Sequence, residues 1–298
     1  MEIQIIAKEF YDYSVYFKGY SKNTIKRYHY VIDLYMKISG VMMINEVTKE
    51  NVRALFFHGR TERKWSANTS VIFHKSLLVF FRWCKTRGYI NFNPIEDIER
   101  PKLEQKLPKK LTKQDSHRLL EIIHNYPHTS NFLRYRNHAI FSTFIFAGLR
   151  KSELLNLKYA DVDLDNMTLF INQGKGAKDR FVPISQTLAK SLNLYVEQRK
   201  KLNKTCPEFF TSLLQNTGFT ENGLKHFVDK IKPVFGIRFS LHKLRHTFAT
   251  LMLEGGCDIY SLSKMMGHSD IKTTTIYLYA SAEHLRSQMV KHPLNDLY

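Results

Sequence analysis

Ser240-Leu241-His242-Lys243-Leu244-Arg245-His246-Thr247, followed by Gly267-His268-Ser269-Asp270 and then Ile276-Tyr277, is the stretch on which the reading of this chain turns. His242 and Arg245 stand three residues apart, so a helix places them on one face. An imidazole beside a guanidinium fork suits a phosphate oxygen and its proton. Tyr277 comes nine residues after His268, far enough to sit on the next helix and turn back.

Working upstream, Phe132 to Ala147 reads as a strongly apolar helix ended by Gly148, with Leu149-Arg150-Lys151-Ser152-Glu153-Leu154 as a sharp turn into another helix. Arg150 therefore sits beside a helix start. Met167 to Ile171 and Arg180 to Ile184 read as two short strands joined by Asn172 to Lys178, which puts Lys175 between two glycines at a hairpin. Helices are expected near Ser185, near Thr220 and over His242 to Glu254, with Asp258 capping the helix that leads to His268. The second domain opens at Thr112-Lys113-Gln114-Asp115, a helix start, and Leu119, Leu120, Ile122 and Ile123 continue its apolar face.

The N-terminal part reads as a small all-helical bundle. Its helices are expected over Ile3 to Phe17, from Ser21 to Ser39-Gly40, from Thr48, and from Ser66 to Arg87 with Ile72, Leu77, Leu78, Phe81 and Trp83 as apolar positions. Pro94, Pro101 and Pro108 punctuate Asn91 to Lys110. The layout is thus residues 1–100 as a helical domain, 101–111 as a linker and 112–298 as a second domain. The fold class is mainly α with a small β-hairpin or sheet.

Composition narrows the function classes. The chain has 298 residues, a net charge of +18 and an isoelectric point near 9.7, and the excess of Lys and Arg is spread over both parts. A protein that basic points to a polyanionic partner, with nucleic acid first. Cys84, Cys206 and Cys257 show no paired spacing, which argues against a zinc site and a disulfide framework and fits a reducing cytoplasm. No apolar run is long enough to span a bilayer, and no membrane role is indicated. A GxxxxGK[ST] loop is missing, so ATP use has no support.

Taken singly, each residue has a plain structural explanation: Arg150 can pair with Glu153, His242 and His246 can be satisfied at a helix start, and Tyr277 is one of 16 tyrosines. As a set, Arg150, Lys175, His242, Arg245, His268 and Tyr277 supply a phosphate clamp, proton-transfer groups and a nucleophile. Ala147 to Leu154, Gly174-Lys175-Gly176, His242 to Thr250, and Leu262 to Ser269 followed by Thr275-Ile276-Tyr277 resemble the tyrosine recombinase family, which includes phage integrases and Xer-type resolvases. The strong motifs run from about Thr112 to Tyr277. The N-terminal bundle matches the family's core-binding domain in size and helicity alone.

The resemblance implies a site-specific recombinase that cuts and rejoins DNA through a 3'-phosphotyrosyl bond, with no metal and no other cofactor. Tyr277 is the implied nucleophile, with Tyr279 its rival two residues on. Arg150, Arg245 and His268 would hold the phosphate, His242 would accept the phenolic proton, and Lys175 would protonate the leaving oxygen. Glu153 and Asp161 or Asp163 are expected as supports behind these groups. The implied partners are a double-stranded DNA recombination site and further copies of the chain, or a paralogous recombinase, in a tetramer that exchanges the C-terminal helix, about 281–298. Lys22, Lys26, Arg27, Arg82, Lys85 and Arg87 are candidate phosphate contacts. A type IB topoisomerase is the nearest enzyme rival, and a non-catalytic basic helical DNA-binding regulator the rival from another class. With no room for an arm-binding domain before Ile3, the minimal two-domain form is expected.

Overall fold

The computed structural model describes residues 1–103, 108–172 and 179–280, together with Arg286 and Met289. Two compact units emerge, Met1–Gln105 and Lys106–Tyr298. Lys175 and nearly all of the expected exchange helix lie outside the described residues.

The first unit is built from α1 (Ile3–Tyr16), α2 (Lys22–Ser39), α3 (Lys49–Thr61) and α4 (Ala67–Thr86). Local chemistry sets their starts: the hydroxyls of Ser21, Thr48 and Ser66 accept from the backbone N–H three residues on, at 3.3, 3.2 and 3.1 Å. The core is aromatic. Phe10 packs against Tyr28, Phe80 and Trp83 with ring centroids 5.1, 5.3 and 5.5 Å apart, tilted or edge-on as ring quadrupoles prefer. One expected core position differs: Ile72 is exposed, because the buried stripe of α4 runs through Val71, Phe73, Leu77, Phe80, Phe81 and Cys84 and leaves Ile72 on the far side.

In the second unit α5 (Lys113–Asn125) is followed by α6 (Asn131–Ala147), α7 (Lys151–Asn156) and a three-stranded antiparallel sheet in the order β1 (Val162–Asp163), β2 (Thr168–Ile171), β3 (Arg180–Pro183). The two-residue β1 was not expected from sequence, being too short to show an alternation. Leu169 pairs with Val182 and both are buried. Then come α8 (Gln186–Lys201), α9 (Glu221–Phe235), α10 (Leu241–Glu254), α11 (Ile259–Met266) and α12 (Lys272–Ala280).

Helix α6 runs through the middle, packed against α5, α8 and α10. Its apolar residues are not confined to one stripe, as expected of a central helix. Leu111, expected as the end of a linker, is buried, and its N–H donates to Thr247 Oγ1 at 2.9 Å. A smaller cluster of Phe248, Leu253, Leu262, Met266 and Tyr277 lies between α10, α11 and α12.

Candidate active site

Gly148 ends α6 with φ of +62°, and a Cβ there would lie 2.2 Å from the Phe248 ring. A glycine is needed on both counts. The turn it makes sets Arg150 immediately before the first residue of α7. The Arg150 N–H donates to Glu153 Oε2 at 2.8 Å, its Nη1 to Glu153 Oε1 at 2.6 Å, and its Nη2 to the Gly267 carbonyl at 2.9 Å. The pairing with Glu153 that could have been its whole role is present, yet the arginine also reaches the chain beside His268.

Helix α10 starts at Ser240, whose hydroxyl accepts from the Lys243 N–H at 3.1 Å. Its first turns present His242, Arg245 and His246 together. Arg245 is 3% exposed and donates to the carbonyls of Gly148 and Met266, each at 2.6 Å. Its Nη2 also lies 3.2 Å from His268 Nε2. A guanidinium only donates, so that nitrogen accepts, and Nδ1 of His268 carries the proton given to Thr274 Oγ1 at 2.8 Å.

Arg180, which the sequence did not single out, completes the network. Its Nη1 and Nη2 donate to the two Glu153 oxygens at 2.9 and 2.8 Å, and its Nε to the Met265 carbonyl at 2.7 Å. Glu153 thus faces Arg150 and Arg180 directly, with Arg245 3.9 Å away. Burial alone would raise the Glu153 carboxyl; the bidentate Arg180 and the bonds from Arg150 outweigh it and hold it at about 2. One carboxylate offsets part of the repulsion among three guanidinium groups.

Desolvation, reinforced by nearby charges, lowers the histidines. His268 is held at about 4 by burial and then by Arg245, Arg150 and Arg180. His246 is also held at about 4, by burial, His242 and Arg245. His242 is lowered by the same kind of causes. Tyr277 is 2% exposed, and burial raises its phenol while Arg245 and Arg150 pull it back down.

Arg150, His242, Arg245, His268 and Tyr277 line one cavity of about 1120 Å³, whose wall continues along Leu224, Lys225, Val228 and Lys232 of α9. Five of the six residues singled out from sequence therefore converge. The sixth, Lys175, lies outside the described residues.

Two expected contacts are not made among the described residues. Asp161 and Asp163 each close their own turn, Asp161 accepting from the Lys158 N–H at 2.9 Å and Asp163 from the Asn166 N–H at 2.8 Å. The phenol oxygen of Tyr277 is bonded to Nδ1 of His246 at 2.8 Å, and among the described residues no hydrogen bond joins it to His242. The sequence signal for His246 was its place one turn beyond His242.

A model of the phage integrase family matches residues 109–284, and a model of the phage integrase N-terminal SAM-like domain matches residues 6–91. The chain belongs to the phage integrase family of tyrosine recombinases. It is 33% identical over 288 residues to tyrosine recombinase XerA of Thermococcus onnurineus, covering 92% of this chain and 90% of the relative. It is 31% identical to tyrosine recombinase XerD of Listeria monocytogenes, covering 94% and 96%. As a tyrosine recombinase it is an enzyme of site-specific recombination, and neither the topoisomerase reading nor the non-catalytic regulator is favoured. The fold is shared with XerH site-specific recombinase bound to its difH substrate (TM-score 0.73, 21% identity, 89% of this chain and 78% of the other). It is shared too with the Tn1549 transposon integrase in complex with transposon end DNA (TM-score 0.74, 18% identity, 98% and 99%). No helix among the described residues is long and apolar enough to cross a membrane.

Proposed function

We propose that this recombinase cleaves and rejoins double-stranded DNA with Tyr277 as the nucleophile. The observation that supports this most is the convergence of Arg150, His242, Arg245, His268 and Tyr277, from four separate segments, on one cavity. Attack of the phenol oxygen on the scissile phosphate forms a 3'-phosphotyrosyl ester and releases a 5'-hydroxyl. Arg150 and Arg245 bind non-bridging oxygens as charge builds on the phosphorane, with His242 and His268 facing the same group. Glu153 and Arg180 position both arginines. Lys175 serves as general acid to the leaving 5'-oxygen. The ester conserves the energy of the phosphodiester, so rejoining to another strand needs neither ATP nor a metal.

In this reading residues 1–100 form the core-binding domain, 101–111 the linker and 112–298 the catalytic domain, and the protein works in the cytoplasm. Lys22, Lys26, Arg27, Arg82, Lys85 and Arg87 are all exposed and contact phosphates of the recombination site. Four subunits, of this chain or with a paralogous recombinase, assemble on two duplexes and exchange the segment 281–298. Known Xer and integrase complexes with DNA support the choice of partner by likeness.

The test is a nicked suicide substrate. Tyr277→Phe binds it but traps no covalent complex; a persistent adduct would move the nucleophile to Tyr279 or elsewhere. Lys175→Ala loses cleavage and regains it when the 5'-bridging oxygen is replaced by sulfur; continued loss on that substrate contradicts the general-acid role.

A further inference from the structure

We infer that His246 accepts the phenolic proton of Tyr277 as the nucleophile attacks, the part that the family resemblance implied for His242. The inference rests on the reading of Tyr277 as nucleophile. Its basis is the bond of 2.8 Å between His246 Nδ1 and the Tyr277 hydroxyl, made across α10 and α12. The neighbouring His242 ring, 4.3 Å from that of His246 between centroids, is exposed and makes no hydrogen bond among the described residues. It is left free to meet the DNA while His246 holds the reacting oxygen.

The step balances simply. The O–H bond of Tyr277 breaks and its proton forms an N–H bond with the lone pair of His246 Nδ1. The phenolate pair forms the O–P bond, and the P–O5' bond breaks with its electrons staying on the 5'-oxygen, which the general acid of that reading protonates. Rejoining reverses each transfer, and the His246 imidazolium returns the proton to the phenol.

The surroundings suit this role. The groups facing His246 are His242 and Arg245 of its own helix and Tyr277 from α12, while Arg150 acts on His242 and Tyr277. Burial, His242 and Arg245 lower the imidazole, and in the tautomer that carries its proton on Nε2 the Nδ1 lone pair accepts from the Tyr277 hydroxyl. Burial raises the Tyr277 phenol, and Arg245 and Arg150 offset part of that rise. A general base within 3 Å of the proton it takes satisfies the geometric requirement for proton transfer.

The experiment is single-turnover cleavage of a nicked suicide substrate by the full chain, from pH 6.5 to 9. His246→Gln is expected to form the phosphotyrosyl complex about 10²-fold more slowly at pH 7. The wild-type to variant ratio should then shrink with rising pH, by about tenfold per unit where solvent deprotonation of the phenol replaces the base. His246→Asn, which puts an amide near the position of Nδ1, is read in the same way should the Gln variant fold poorly. His242→Gln gives a ratio independent of pH. A His246 variant that cleaves as fast as wild type or faster overturns the proposal, because the bond then only holds the nucleophile in reserve. A pH-independent deficit also overturns it, leaving a packing role. Tyr277→Phe runs in parallel, and an adduct formed by that variant refutes the nucleophile reading itself, whatever His246 does.

Discussion

Among the described residues the N-terminal unit buries no arginine, lysine, aspartate or glutamate, whereas the C-terminal unit buries Arg136, Glu153, Arg199, Lys204 and Arg245. The buried charges fall into two kinds. Arg136, Arg199 and Lys204 bond backbone carbonyls: Arg136 donates to Thr211 at 3.0 Å and lies over the Phe219 ring, Arg199 donates to Cys206 at 2.6 Å over the Tyr159 ring while its Nε has no partner, and Lys204 donates to Gln215 at 2.9 Å. Arg150 and Arg245 line a cavity, and Glu153 is bonded to Arg150 and Arg180 beside it. Burying charge is costly unless it is paired, so a cationic cluster at a cavity wall, balanced by one carboxylate, is where a structure has been shaped for an anionic ligand. The aromatic core of the first unit carries no such sign.

The sharpest way to break this contrast is Glu153→Ala. Removing the carboxylate leaves Arg150, Arg180 and Arg245 facing one another, and loss of one partner from a buried charge network costs about 3–5 kcal/mol. Both tryptophans, Trp65 and Trp83, lie in the N-terminal unit. The far-UV circular dichroism melt should therefore lose stability in its C-terminal component while the tryptophan fluorescence transition stays put. Phe80→Ala inverts the pattern, with a loss of about 3–5 kcal/mol that fluorescence reports.

Acid should also separate the units. His138, His246 and His268 are each held at about 4 by burial, the last two with help from nearby arginines, while an unfolded imidazole titrates near ~6.5. Between those values the unfolded chain binds more protons, so stability falls as pH drops from about 6.5 to about 4. In the N-terminal unit burial lowers His74, which predicts a loss there shallower than that from the three imidazoles of the C-terminal unit. A second decline comes as pH falls through the range from the ordinary carboxylate value to about 2, where Glu153 protonates. The smallest effect is expected at the surface pair of Lys49 and Asp97: Lys49→Ala should leave both transitions where they are, because exposed pairs contribute little.

How much of this was legible in the sequence depends on whether the cause is local. Helix starts at Ser21, Thr48, Ser66 and Thr112 were readable because a hydroxyl bonds a backbone N–H three residues on, whereas the helix expected from His242 is capped two residues earlier by Ser240. Gly148 was readable as a stop, and it takes positive φ. Motif spacing grouped Arg150, His242, Arg245, His268 and Tyr277, and these five line one cavity. Arg180 was not: its partners Glu153 and Met265 lie 27 and 85 residues away, and nothing beside it in the chain announces a bidentate pair. The turns that Asp161 and Asp163 close were not foreseen, because acids near a motif look alike until their turns are seen. That His246 rather than His242 bonds the Tyr277 hydroxyl turns on which face of α10 meets α12, a tertiary fact that spacing leaves open.

A cationic, carboxylate-braced cavity that serves a tyrosine nucleophile at position 277 can be tested without inference from variants. The most direct measurement is proteolysis of the covalent complex trapped on a nicked recombination site, with mass mapping of the peptide that carries the nucleotide. The modification is expected on Tyr277, at the end of the bond to His246. A modification on Tyr279, or on any residue outside α12, would contradict that role.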